Sequence, residues 1–232
     1  MSTLAITHSV PAAAPAAAEA SAPLTDWKLL SLLLDHPSVE VIGARDDLLA
    51  AACLLPSGPV RDGIVTFARA FAEGDGSDWE ATYVRTFDFS RRTSLELSYF
   101  VHGDRRQRGV ALLKLKRVFD ALGLELATDE LPDYLPLLLE VADIAGDEVG
   151  RTLLGDFRPG LEVVAAALEQ AESPYASLLQ ALLALLGPLS DEDAAAALHL
   201  AKEGPPDEAV GLHPFAPPEV MPESCTTTGV AA

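Results

Sequence analysis

Apolar residues recur along most of this chain at the three-to-four-residue spacing of a helix face, and nowhere do they alternate over six residues as a half-buried strand would. Thr25 and Asp26 can cap a first helix, WKLLSLLLDH, whose Trp27, Leu30, Leu33 and Leu34 share one stripe and which Pro37 ends. A second helix is expected from Val39 to Leu54 despite Gly43. PSGP then makes a turn, and Pro59 suits the first turn of a third helix that carries Val60, Ile64, Phe67 and Phe71 inward. Ser77 and Glu80 have capping-box spacing ahead of Trp79, Tyr83 and Phe87, which fall on one face of a helix that should stop near Asp88. An aromatic face of this kind either joins the core or lines a groove, and the pattern leaves both open.

Beyond a loop at Ser90–Ser94, Leu95 to Val101 is too short for periodicity to assign, and VHG supplies a break. Asp104 is placed to cap the next helix, whose stripe is Leu112, Leu115, Phe119 and Leu122, with Gly123 just past its end. In ELPDYLPLLLE the second proline, Pro136, fits only a first helical turn, which makes Asp133 the expected N-cap of a helix burying Leu135, Leu138, Leu139 and Ala142. A weak helix over AGDEVGRTLLGDF precedes a stronger one from Leu161 to Ala171. Ser173-Pro174 opens another with Tyr175, Leu178, Leu179, Leu182 and Leu186 inward, and DEDAAAALHLA adds a short last one. These elements predict an all-α, single-domain irregular bundle of about nine or ten helices, with no 20-to-50-residue period that would signal a solenoid.

Composition agrees: hydrophobic residues make up 49% but aromatics only 6%, so Leu and Ala dominate, as in close-packed helices. The Ala/Pro-rich start and the Pro/Gly-rich end lack this period. Residues 1–23 are therefore expected to be disordered, 24–202 to form the helical domain and 203–232 to be a flexible acidic tail.

The net charge of −19 is unevenly placed. Nine of the sixteen Lys and Arg lie between Arg85 and Arg117, whereas from Val118 onward 21 acidic residues face only Arg151, Arg158 and Lys202. Phosphate backbones need a dominant positive surface, so nucleic acid is excluded as the main partner and a basic one is favoured, although plain solubility would also account for the acid surplus. Cys53 and Cys225 stand alone, and His8, His36, His102, His199 and His213 are scattered, so neither a disulfide nor a metal site is expected. The first 22 residues hold no Lys or Arg, and no apolar run reaches the ~18–20 residues of a membrane span, which points to the cytoplasm without stable membrane insertion.

Phosphate-cradling and nucleophile motifs are missing. The remaining enzyme candidate, His102 with Asp104, Arg105 and Arg106, has no second acid/base partner placed by sequence, and Asp104 has a sufficient role as a cap. No catalytic function and no cofactor are expected.

YVRTFDFSRRTSLELSYFVHGDRRQRGVAL followed by ELPDYLPLLLE resembles the NarJ-type nitrate reductase delta subunits, molybdenum cofactor assembly chaperones within the wider TorD-like redox-enzyme chaperones. The combination of FD…R…SL, VHG…RG and ELPD-aromatic-LP, in that order and spacing, carries the resemblance, which extends more loosely from Trp27 to about Leu186. It implies a TorD/NarJ-like all-α fold. It also implies a private assembly chaperone that binds the N-terminal segment of the respiratory nitrate reductase catalytic (alpha) subunit, keeps it competent for molybdenum cofactor insertion and membrane attachment, and is not part of the mature enzyme. The alternative is a helical enzyme or a generic protein-binding adaptor. Tyr134 stands where relatives can carry histidine, which removes a titrating group from the signature. The residues expected to flank the partner peptide are Trp79, Tyr83, Phe87, Asp88, His102, Asp133, Tyr134 and Glu140.

Overall fold

The computed structural model describes residues 6–8, 23–103, 106–126 and 130–206, the first three as backbone only. Asp104 and Arg105 fall outside them, as do Cys225 and most of both expected tails. The described residues form twelve α-helices, one 3-10 turn and two three-residue strands.

Helix α1 (Asp26–Leu34) starts where Thr25 accepts the Lys28 N–H, at 3.1 Å, and buries Trp27, Leu29, Leu30, Leu33 and Leu34. The single helix expected from Val39 to Leu54 is instead two, α2 (Val39–Gly43) and α3 (Arg45–Leu54), because Ala44 takes ψ 7° and breaks the ladder. Pro59 opens α4 (Pro59–Glu73), which buries Ile64, Phe67, Ala68 and Phe71. Helix α5 (Gly76–Phe87) begins two residues before the expected box: Asp75, not Ser77, is the N-cap, accepting from the Ser77 N–H and hydroxyl at 2.9 Å each.

After the 3-10 turn (Arg91–Thr93) come α6 (Ser98–His102) and α7 (Arg106–Ala121). Leu115 and Phe119 of the α7 stripe are buried as expected, whereas Leu122 stays 37% exposed. Strand β2 (Leu124–Leu126) pairs antiparallel with β1 (Ile6–His8), so three residues of the segment expected to be disordered carry backbone pairing. Strands this short lie below what alternation can signal.

Helices α8 (Leu135–Ala145), α9 (Asp147–Gly155), α10 (Arg158–Gln170), α11 (Ala176–Leu186) and α12 (Asp191–Glu203) complete the bundle. The count exceeds the expected nine or ten partly because α2 and α6, at five residues each, are too short to show a period. Helix α1 packs on α8 and α4 on α11, and α3, α9 and α10 close the sides.

The core is centred on Tyr175, only 1% exposed, whose ring meets those of Phe67 and Phe87 at 4.9 Å and Tyr83 and Trp79 at about 6 Å. Mostly edge-on aromatic pairs of this sort stabilise by about 0.5–1.5 kcal/mol each beyond their buried area. Among the described residues, no helix is long and apolar enough to cross a membrane.

Candidate functional site

The two signature segments cross. Glu96 and Tyr134 form an isolated antiparallel bridge, the Leu97 N–H donates to the Asp133 carbonyl at 3.0 Å, and the Leu135 N–H donates to the Leu95 carbonyl at 2.8 Å. These bonds tie the start of α8 to the lead-in of α6.

Asp133 is fully buried at this crossing. Its Oδ2 accepts from the Ser98 N–H at 3.1 Å, the Ser98 hydroxyl at 2.5 Å and Arg108 Nη2 at 3.4 Å, and Arg108 also donates to Ser98 Oγ at 3.1 Å and to Glu96. The expected cap of α8 is thus corrected. The N-cap of α8 is Tyr134, whose side chain makes no capping hydrogen bond to the helix, and Asp133 caps α6 across the fold. Geometry explains the change, because the bridge at Tyr134 turns the Asp133 side chain toward Ser98 rather than along its own helix. A buried carboxylate needs such partners, and Arg108 supplies the charge that makes its burial tolerable. Arg108 lies on α7, so this ion pair also anchors α7, which meets the rest of the bundle chiefly through α6 and β2.

Beside this network Tyr83 and Tyr134 join hydroxyls at 2.8 Å, and Tyr134 passes its proton bond on to Asp35 Oδ1 at 3.0 Å. Tyr83 is therefore the donor to Tyr134. The expected meeting of the Trp79 helix with the ELPD segment is observed here. Burial pushes both phenols well above their ordinary range, so each is a neutral hydrogen-bond donor. Burial also raises the Asp35 carboxyl, against the His36 N–H and the Tyr134 hydroxyl, which pull it down.

The other expected site residues are placed differently from one another. Trp79, Tyr83 and Phe87 are 8%, 5% and 7% exposed, side by side in the aromatic core. Asp88 is the exposed C-cap of α5, its N–H closing on the Val84 carbonyl at 3.0 Å, and His102 is the half-buried last residue of α6. Glu140 belongs to the α1–α8 seam, where it accepts from Lys28 Nζ at 2.7 Å. The crossing gathers Tyr83, Asp133 and Tyr134; Glu140 serves a different contact.

An apolar groove lies between α6 and α10. Its floor is Phe100 with Val163, Ala166 and Ala167 of α10, and the Arg91–Arg92 turn forms one wall. Helix α12 lies over it, leaving spaces of about 200 Å³ on the side of Arg92 and about 560 Å³ on the side of Val101 and Pro159. Sequence reasoning missed Phe100, Ser98 and Arg108, although all three stand inside the motif-bearing run. Phe100 had a usable signal, an aromatic three residues before the VHG glycine.

The family described as nitrate reductase delta subunit matches residues 56–181. NarJ of Bacillus subtilis is 35% identical over 160 residues, which cover 69% of this chain and 87% of that protein. The nitrate reductase molybdenum cofactor assembly chaperone NarJ of Escherichia coli K12 is 35% identical over 168 residues, 71% of each chain. Among solved structures, a redox enzyme maturation protein from Archaeoglobus fulgidus superposes with a TM-score of 0.52 at 24% identity, over 70% of this chain and 92% of that one. The last match speaks to the fold, which is the all-α bundle expected from the helical period.

Proposed function

The chain belongs to the nitrate reductase delta subunit family, and we propose that it is a cytoplasmic assembly chaperone dedicated to a respiratory nitrate reductase. It binds the N-terminal segment of the catalytic subunit, keeps that subunit competent for molybdenum cofactor insertion and membrane attachment, and leaves before the enzyme matures. The observation that carries this reading is the match over residues 56–181, which takes in both crossing segments and the groove floor, together with a relative named as such a chaperone over 71% of its length.

The physical means is binding alone. An apolar groove between helices suits the apolar face of a partner helix, with main-chain bonds satisfied inside that helix and affinity supplied by buried side chains. The acidic surplus of the chain steers a basic segment toward it and raises the association rate. On this reading the contact is the groove beside α6. Of the eight residues expected from sequence, Asp133 and Tyr134 then support the site from behind, and Trp79, Tyr83 and Phe87 hold its core.

Titration calorimetry with the N-terminal peptide of the cognate catalytic subunit tests the reading. The expected result is one-to-one binding with Kd of about 1 μM or tighter, near −8 kcal/mol, weakening as salt is raised. A peptide of the same composition in shuffled order should bind at least about tenfold more weakly, a difference of roughly 1.4 kcal/mol. Equal affinity for the two peptides would overturn sequence-specific recognition.

A further inference from the structure

We propose that helix α12 and the following Gly204–Pro206 occupy the partner's groove in cis, and that the partner helix displaces them. The proposal rests on the peptide-binding reading above and adds how the site is kept covered. Four observations support it.

First, α12 fits its seat poorly. It buries no residue completely: only Asp193, Ala197 and Leu200, spaced four and three apart on one face, are partly covered, and Leu198 is 56% exposed. Leu200 is the large apolar side chain it packs against the core, and Leu200 stands over Phe100 between the two unfilled spaces. A run of four alanines, Ala194–Ala197, cannot fill such volumes. Unfilled apolar space forfeits dispersion contacts, so a guest with bulkier side chains gains what α12 leaves unused.

Second, the floor of the groove is close-packed. At Gly160 a Cβ would sit 2.9 Å from the Phe100 Cβ, so this glycine lets Phe100 settle onto α10 as the floor. Third, at Gly103, the glycine of VHG, φ is +59° and a Cβ would meet the Pro206 carbonyl oxygen at 1.9 Å. Only glycine takes that backbone and also lets the segment after α12 pass so closely. Fourth, the family match ends at residue 181: it contains the floor and excludes α12.

The occupant this geometry fits is an amphipathic helix with large unbranched or aromatic side chains at i, i+3 or i+4, and i+7, whose middle residue replaces Leu200 and whose neighbours enter the two spaces. Its apparent affinity is reduced by the fraction of molecules in which α12 is seated, so loosening α12 tightens binding without any new contact.

The test titrates the catalytic subunit's N-terminal peptide into full-length wild type, Leu200→Ser, and a double variant, Ala196→Leu with Ala201→Leu, whose new side chains enter the spaces beside α12. Leu200→Ser should bind about tenfold tighter and the double variant about tenfold weaker. Hydrogen exchange adds a positional readout: on peptide addition the amides of α12 should exchange faster while those of α6 and α10 slow down. Weaker binding by Leu200→Ser, with α12 slowing alongside α10, would make α12 part of the site and overturn displacement. Equal binding by all three proteins, with α12 exchange unchanged, would overturn displacement and leave peptide recognition standing. Absence of binding by all three would remove the peptide-binding function, and the occupancy proposal with it.

Discussion

Asp133→Ala is expected to destabilise the fold by about 3–5 kcal/mol, the cost of breaking a buried ion pair by removing one partner. The carboxylate has no exposure, and on Oδ2 it holds the first N–H of α6, the Ser98 hydroxyl and Arg108. Removing it leaves the Ser98 N–H without its acceptor and leaves Arg108 paired with Glu96, which is 44% exposed and therefore a weaker partner. Asp133→Asn keeps an acceptor oxygen for Ser98 and should cost less, roughly 1–2 kcal/mol. Urea denaturation measures both. In the double variant with Arg108→Ala the losses should fall short of additive by about 0.5–3 kcal/mol, because the two substitutions remove the same interaction. A loss under about 0.5 kcal/mol for Asp133→Ala, the range of surface substitutions, would mean that the crossing contributes nothing to stability.

Tyr83→Ala should cost about 3–5 kcal/mol by leaving a cavity in the aromatic core. The ring centroid lies 4.8 Å from that of Phe87, 6.0 Å from that of Tyr175 and, edge-on, 5.2 Å from that of His36, and the residue is 5% exposed. Tyr83→Phe keeps the ring and removes one hydroxyl contact, so it should cost about 1 kcal/mol. Thermal unfolding separates the two, since for a domain of this size each kcal/mol moves Tm by roughly 2–4 °C. Peptide affinity, measured where both variants are folded, should hardly change. A tenfold loss of affinity at unchanged Tm would instead put Tyr83 in the binding surface.

What could be read from the chain follows how local each signal is. Thr25 and Pro59 marked helix starts correctly because a cap and a first-turn proline act within one turn of their own position. Asp75 and Ser77 both suit capping, and nothing in the residues between them says which will; the backbone chose Asp75. Ala44 breaks a helix although alanine is the best helix former, so tertiary placement of α2 and α3 overrode propensity there.

The site was less legible because its contacts are long in sequence. The spacing of Trp79, Tyr83 and Phe87 showed that they share a face, and Tyr175, nearly a hundred residues later, makes that face core. Asp133 looked like a local cap, whereas its partner Ser98 is 35 residues away. The groove joins Phe100 to Leu200, and neither residue has a neighbour in the chain that announces the other. The family signature could be read at once, since its motifs are contiguous, but it marked the crossing that supports the groove more clearly than the groove itself.

The polypeptide this chain holds in the cell distinguishes a dedicated assembly chaperone from a general adaptor. The measurement is recovery of the tagged protein from nitrate-grown cells that cannot make molybdenum cofactor, followed by identification and metal analysis of the copurified polypeptides. The predicted result is the nitrate reductase catalytic subunit in about one-to-one ratio, free of molybdenum, and much less of it when cofactor synthesis is restored, as the proposed release before maturation requires. Recovery without that subunit, or with equal amounts of the molybdenum-loaded form, would contradict it.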